Sequence, residues 1–464
     1  MLRRTGVAAF ALGALAALAL ASSATPAGGS SWRRVTDANL ANINQLALAR
    51  TPDGVLHLAW YRPSGSAQDL VHETLSANGA TVGAAAPIVS GWSTLTNPSL
   101  LAAGGGLRAL FSGIRSTSTS DPYSGGTVYT ATAPASGAGW TLGPAAAPPS
   151  SAYASDVVGG AAAQDGSPVS SWSGTFGLFV HAGLAPSAPS TKVQSACCGY
   201  QAGLATDSAS GQTVLAWYSN ASGAGGILAA TVLPSLGSTS YLPGSATADR
   251  NSAASPVQQV GIAARIGAPG VYVAYGVGYP TWKQIALWSH STGKTLRVAS
   301  VGAGLGLPDV AAAPSGRLWA MWSAGGRLYA VRSNRAVTRF GPVTALAPPP
   351  GSTSVWKLVG EGSLGPLDLF VSATAGGGIA FYHQRVLPPL TLTASLGAKG
   401  RVTFRVGDAG DAVPGAKVVV AGRTLTTGAG GSAATTLAPG AYRAAASIAG
   451  YRPAAASVRV PKKR

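Results

Sequence analysis

Glutamate occurs only at positions 73 and 361, and the only two cysteines are neighbours, Cys197 and Cys198. Acidic residues number 14 against 32 lysines and arginines, giving a formal charge of +18. So few cysteines exclude a disulfide-stapled scaffold and any Cys-rich zinc module. Charged residues make up 10% of the chain, well below the usual quarter. Amphipathic helices need long charged side chains on their wet face, so this scarcity favours short strands and tight turns. The five histidines are isolated, with no His-x-x-x-His, Cys-x-x-Cys or calcium-loop spacing, so no metal or cofactor is expected. No Gly-x-Ser-x-Gly elbow occurs, which excludes the commonest serine-hydrolase arrangement. No nucleic-acid module is recognisable, although the positive balance favours attraction to anionic partners such as acidic glycans or envelope polymers.

What is present begins with an export signal. Arg3-Arg4 precede the apolar tract Val7–Leu20, and Ala19-Leu20-Ala21 and Ser22-Ser23-Ala24 offer small-residue cleavage sites. Residues 1–24 therefore read as a signal peptide of the general secretory route, leaving a secreted or surface-associated chain. No later run reaches the ~20 apolar residues of a membrane span. No anchor is expected after cleavage, and a monomer is.

The rest of the chain repeats. A short apolar strand, a Gly-containing turn and a strand closing on an aromatic residue recur, ending at Trp60, Phe111, Trp172, Trp217, Tyr275, Trp322 and Phe370. The average spacing from Trp60 to Phe370 is about 52 residues, within the range of β-propeller repeats. Each copy continues with two further strand-like runs, as in Asp69–Thr74 and Ala86–Val89, which makes four strands per unit. The first strand of each is rich in Ala and Gly, such as Ala311-Ala312-Ala313 and Gly159-Gly160-Ala161. Strands converging on a central channel leave room for little else. The expectation is an all-β, seven-bladed β-propeller over 32–387, with six or eight blades as alternatives. Trp32–Val35 should supply the outer strand of the last blade, covering an exposed edge.

After Pro388-Pro389 the pattern changes. Val402–Val406, Ala416–Val420 and Ala441–Ala444 are strand-like runs between Gly-rich turns. The segments Val413-Pro414-Gly415-Ala416, Leu437-Ala438-Pro439-Gly440-Ala441-Tyr442 and Gly450-Tyr451 resemble the carboxypeptidase regulatory-like and bacterial Ig-like families. The resemblance covers 390–460, with Gly428 standing where those families place an acid. It implies a small Ig-like/prealbumin-like β-sandwich acting as a spacer or stabiliser. The repeat length and the Gly-turn-aromatic signature resemble the sialidase-like superfamily. The Asp-box of that superfamily is imperfect here, since Thr51-Pro52-Asp53-Gly54 and Ala163-Gln164-Asp165-Gly166 lack the residue between Asp and Gly.

Candidate chemistry is sparse. Paired carboxylates would be drawn from Asp156 and Asp309, each just before an innermost strand, or from Glu361, the one inner-strand glutamate. The residues preceding the inner strands read Gln45, Ser99, Asp156, Gln201, Gln259, Asp309 and Lys357. All are polar, so they should ring the channel mouth, where Tyr200 and Trp356 would add stacking surfaces for a saccharide. His57, inside a strand, reads as a packed histidine. Cys197-Cys198 precede the fourth inner strand. They could form a strained vicinal disulfide, remain thiols or bridge to another chain. The leading reading is a non-enzymatic recognition protein binding a glycan or envelope polymer in the propeller funnel. The alternatives are a sialidase-like glycoside hydrolase or lyase, and a protein-interaction scaffold.

Overall fold

A computed structural model describes residues 32–37, 39–40, 45–118, 120–121, 126–145, 157–174, 177–183, 190–194, 199–221, 225–245, 258–278, 283–301, 305–306 and 308–462. The signal segment 1–24, Asp156 and the Cys197-Cys198 pair lie outside these residues. Among the described residues the secondary structure is β-strand with two single-turn 3-10 elements, at Pro314–Gly316 and Ala398–Gly400.

The strands form small antiparallel sheets, an arrangement consistent with a propeller. In chain order the innermost strands are Ala47–Arg50, Ser99–Ala103, Gly159–Ala162, Gly199–Thr206, Ile262–Ala264, Asp309–Ala312 and Ser352–Glu361. Each pairs with the strand that follows it, and two more strands complete each sheet outward, the second sheet also carrying the short strand Thr94–Leu95. Neighbouring inner strands touch in sequence, and Ser352–Glu361 touches Ala47–Arg50, so the ring is closed. The outermost strand of the last sheet is Arg33–Arg34, with Arg33 opposite His383 and Arg34 opposite Tyr382. Val35 N–H extends the pairing to the Phe381 carbonyl at 2.9 Å, and Trp32 Nε1 donates to the Ala347 carbonyl at 2.8 Å.

Two features of the repeat explain this geometry. The closing aromatics Trp60, Phe111, Trp172, Trp217, Tyr275, Trp322 and Phe370 are all buried. Trp60 shares a core with Phe370 and Phe381 from the last sheet, so the aromatics fill the seams between sheets. The inner strands are small because they crowd one another. A Cβ on Gly159 would stand 2.6 Å from the Ala202 carbonyl oxygen, and one on Gly203 would stand 2.5 Å from that of Val260. Any side chain there would force neighbouring sheets apart.

Beyond Val386 two further sheets share one core. One contains Thr391–Leu396, Arg401–Asp408, Asp411–Ala412 and Ser432–Thr436; the other Lys417–Val420, Arg423–Thr426, Gly440–Ser447 and Ala454–Val460. Val402, Phe404 and Val406 of the first meet Val418, Val420, Ala444 and Ala446 of the second. Strict in–out alternation along Arg401–Asp408 and Lys417–Val420 places these residues inward.

This module is clamped to the sixth sheet of the ring and does not hang from it as a free spacer. Asp408, 2% exposed, accepts from Arg317 Nε at 3.0 Å and from Arg332 Nη2. Asp411 accepts from Arg317 Nη2 at 2.6 Å and from the Arg335 backbone N–H at 2.7 Å. The Arg332 guanidinium also lies 5.0 Å from the Tyr451 ring and 5.6 Å from that of Trp319. Asp408→Ala should therefore leave two arginines buried without their shared counter-ion and cost about 3–5 kcal/mol. Denaturant unfolding of the mature chain measures this, and a loss under ~1 kcal/mol would show that the clamp is not structural.

Candidate functional site

The central channel holds a cavity of about 180 Å³ lined by the starts of the inner strands. Of the polar ring expected from sequence, Gln45, Ser99, Gln259 and Asp309 line this cavity. Gln45, Ser99 and Gln259 are not held apart as an open mouth. The Gln259 backbone N–H donates to Gln45 Oε1 at 2.7 Å. Its side-chain Nε2 reaches Ser99 Oγ and the Val158 carbonyl, both at 3.1 Å. Ser99 Oγ donates to the same carbonyl at 2.8 Å. Gln258, which sequence reading missed, accepts from the Leu358 N–H at 3.2 Å through Oε1. Two adjacent glutamines thus tie the fifth sheet to the first, second, third and seventh. Their hydrogen-bonding capacity holds the ring together.

The remaining candidates are dispersed. Gln201 is fully buried with a left-handed backbone, φ 57°, and Lys357 is 1% exposed. Asp309, at the cavity, accepts from the N–H of Val310 at 2.8 Å through Oδ1. Tyr200 packs against the seam between the fourth and fifth sheets, and Trp356 Nε1 donates to Thr374 Oγ1 at 2.8 Å.

Glu361 stands at the far end of its strand, where the first and last sheets meet. Arg50 binds it through Nε, binds Asp368 through Nη2 at 2.5 Å, and donates from Nη1 to the Gly54 carbonyl at 2.6 Å. His383 Nε2 lies 3.0 Å from the other oxygen of Asp368. Arg50 therefore joins Glu361 to one other carboxylate, that of Asp368. Side-chain exposures of 5% for Arg50, 15% for Glu361 and 2% for Asp368 make the cluster a sealed electrostatic lock across the closing seam. All three guanidinium nitrogens are committed.

Between the first and second sheets lies a buried histidine pair. His57 Nδ1 is 2.9 Å from His72 Nε2, and the rings stack with centroids 5.1 Å apart. On its other side, His57 Nε2 is 3.1 Å from Thr51 Oγ1, whose hydroxyl donates to Asp53 at 2.6 Å. That order of donors fits two neutral imidazoles, His72 donating to His57 and His57 to Thr51. Desolvation lowers the pKa of His57, and desolvation followed by repulsion from His57 lowers that of His72 to about 4. Asp53, at the exposed end, is lowered by its bond from Thr51.

The clearest electrostatic feature lies on the C-terminal module. Lys399, Arg401, Arg405, Lys417, Arg423, Arg443, Arg452, Arg459 and Lys462 are all exposed. The module's only acids, Asp408 and Asp411, are both turned into the clamp with the ring. Arg401 and Arg405 share the outer face of their sheet with Thr393, Ser395, Thr403 and Thr436. Lys417, Arg443 and Arg459 rise from a second outer face of Ala, Ser and Thr. The other outward residues of both faces are mostly small, with Val419 the larger exposed one beside Lys417. The scarcity of acids after Pro389 was the sequence signal for this, and the scattered order of the arginines hid it.

No family model matches the chain, and no curated protein does. Among solved structures it is similar to a Hadza microbial sialidase at 11% identity and TM-score 0.42, covering 63% of this chain and 66% of that one. An ulvan lyase, described as a new family of polysaccharide lyase, matches at 9% identity and TM-score 0.45, covering 77% and 96%. A lectin from Aleuria aurantia in complex with Fucα1-6GlcNAc matches at 12% identity and TM-score 0.41, covering 81% and 98%. The chain spans 60% of the length of a Trypanosoma rangeli sialidase that it also matches.

The histidine pair has a measurable consequence. Its imidazoles are neutral in the folded state, whereas an unfolded chain protonates them near pH 6.5. The unfolded state thus binds more protons as pH falls from 6.5 to about 4, and the pair's contribution to stability is lost across that window. Glu73 acts with the opposite sign over part of this range, since burial raises its pKa to about 7. The comparison that isolates the pair is therefore His72→Gln against the parent chain. Urea midpoints should show the variant gaining relative stability as pH falls from 6.5 to 4. A difference that does not vary with pH would contradict the neutral assignment.

Proposed function

We propose that this is a secreted recognition protein whose basic C-terminal module binds an anionic glycan or cell-envelope polymer. In this reading residues 1–24 direct export. The ring is a seven-bladed propeller closed by its N-terminal strand, and 390–460 form an Ig-like sandwich. The single observation that carries the proposal is the sorting of charge on that sandwich. Its bases all face water, and its two acids are consumed by Arg317 and Arg332 of the ring.

The physical argument runs from that asymmetry. A polyanion lying along a flat β-face meets several exposed cations at once, and the Ala/Ser/Thr carpet lets its backbone approach closely. The attraction is long-range and screened by salt. The buried clamp keeps the face at a fixed orientation on a rigid ring, so no ordering of a hinge opposes binding. The channel glutamines, bonded to groups of neighbouring sheets, support a role in holding the ring. The sealed Arg50–Glu361–Asp368 cluster likewise supports closure of the ring over glycosidic chemistry.

The test is binding of the mature chain to polygalacturonate, to heparin and to neutral dextran, by biolayer interferometry. Both anionic polymers should bind, dextran should not, and binding should weaken steeply between about 0.05 and 0.5 M NaCl. Replacing Arg401 and Arg405 together by Glu should weaken binding by about tenfold or more, since each cation near a polyanionic surface contributes on the order of 1 kcal/mol. Salt-independent binding, or equal binding to dextran, would contradict the proposal.

A further inference from the structure

Glu73 is the chain's other glutamate, and it is an anomaly. It is 5% exposed, yet its Oε1 has no hydrogen-bond partner among the described residues. A buried carboxyl without a partner is costly, and proteins rarely retain one without a use. Glu73 also lines a cavity of about 290 Å³ between the first sheet and the N-terminal strand, shared with Arg34, Thr36, Asp37 and Trp60. Asp37 stands at the rim, its carboxylate 70% exposed and paired with Arg62 at 3.1 Å. Arg34 is exposed at the mouth, where water screens its charge. Arg33, whose charge opposes the rise in the Glu73 pKa, is tied by Nη1 to the Ala80 carbonyl at 2.5 Å.

We propose that this cavity binds a primary ammonium group, with Glu73 as its anionic partner, Asp37 as a second carboxylate at the rim and the Trp60 indole as its aromatic wall. An ammonium supplies the donor that Glu73 Oε1 lacks here, and it is attracted to an indole face. It also resolves the unpaired Glu73 oxygen. Burial and the charge of Asp37 push the Glu73 pKa up to about 7, with Arg33 opposing. A bound cation would pull it down again, so binding and proton release are linked. The site is independent of the polymer-binding face, and the two proposals can fail separately.

Two sources of the same chemistry are distinguished by the probes, the ammonium of a lysine side chain and that of an amino sugar. Isothermal titration of the mature chain with Nα-acetyl-lysine methylamide and with glucosamine is set against Nα-acetyl-norleucine methylamide and glucose. At least one amine should bind and neither neutral analogue should. Affinity should fall by about tenfold per pH unit below 7, because only the ionised Glu73 binds. Glu73→Gln should weaken binding by about tenfold or more and remove its pH dependence. Folded-state pKa above the unfolded value means that Glu73 lowers stability as pH rises from 4.5 through about 7. The Gln variant should therefore be at least as stable as the parent at pH 8, which separates lost binding from lost folding. The Arg401/Arg405 double variant should bind the amine normally. Absence of binding by both amines, equal binding of a neutral analogue, or undiminished binding by Glu73→Gln would each overturn the site.

Discussion

Each small sheet in the ring has two apolar faces and can bury neither alone. Lateral burial against the next sheet is the constraint on which everything else depends. Trp60, Trp172, Trp217 and Phe370 are the wedges that fill the seams. At the centre the same convergence works in reverse. The inner strands approach until neighbouring backbone carbonyls leave no room for a Cβ at Gly159 or Gly203, and only glycine fits there. Large residues outside and small ones inside follow from a single wedge-shaped geometry.

Polar groups are arranged by the same closure. Where the inner strands begin, Gln259 bonds to the first three sheets and Gln258 accepts through Oε1 from the seventh. Where they end, Arg50 locks the first sheet to Glu361 and Asp368 of the last. A ring closed by two chain segments distant in sequence gains most from bonds at that seam, because there the loop-closure entropy is largest. The scarce carboxylates are concentrated accordingly. Glu361, Asp368, Asp408 and Asp411 all hold arginines at junctions.

That allocation leaves the surface positive. With Asp408 and Asp411 drawn into the seam, the charges that the C-terminal module exposes are cations, on sheets whose other outward residues are mostly small. Charge asymmetry of this kind reflects both composition and position. Asp408 and Asp411 lie in the module's sequence but serve the ring. Glu73 is the exception among the acids, buried without a hydrogen-bond partner for Oε1.

The all-β class and the recurring small sheets were legible in the chain itself. Few charged residues disfavour amphipathic helices, and an aromatic recurring after a Gly turn marks the second strand of each unit. His57 also read correctly as a packed residue, though its partner His72 did not announce itself, because strand pairing sets which side chains stack. The polar ring was readable as polarity expected before each inner strand, although Gln201 and Lys357 lie within their strands. Whether Gln45, Ser99 and Gln259 face a ligand or one another depends on the width of the channel, which no local pattern encodes. Sequence alone determined the type and period of the elements, since those arise from neighbours a few residues apart. Only the tertiary structure decided which acids meet which arginines across hundreds of residues, and so which bases were left facing water.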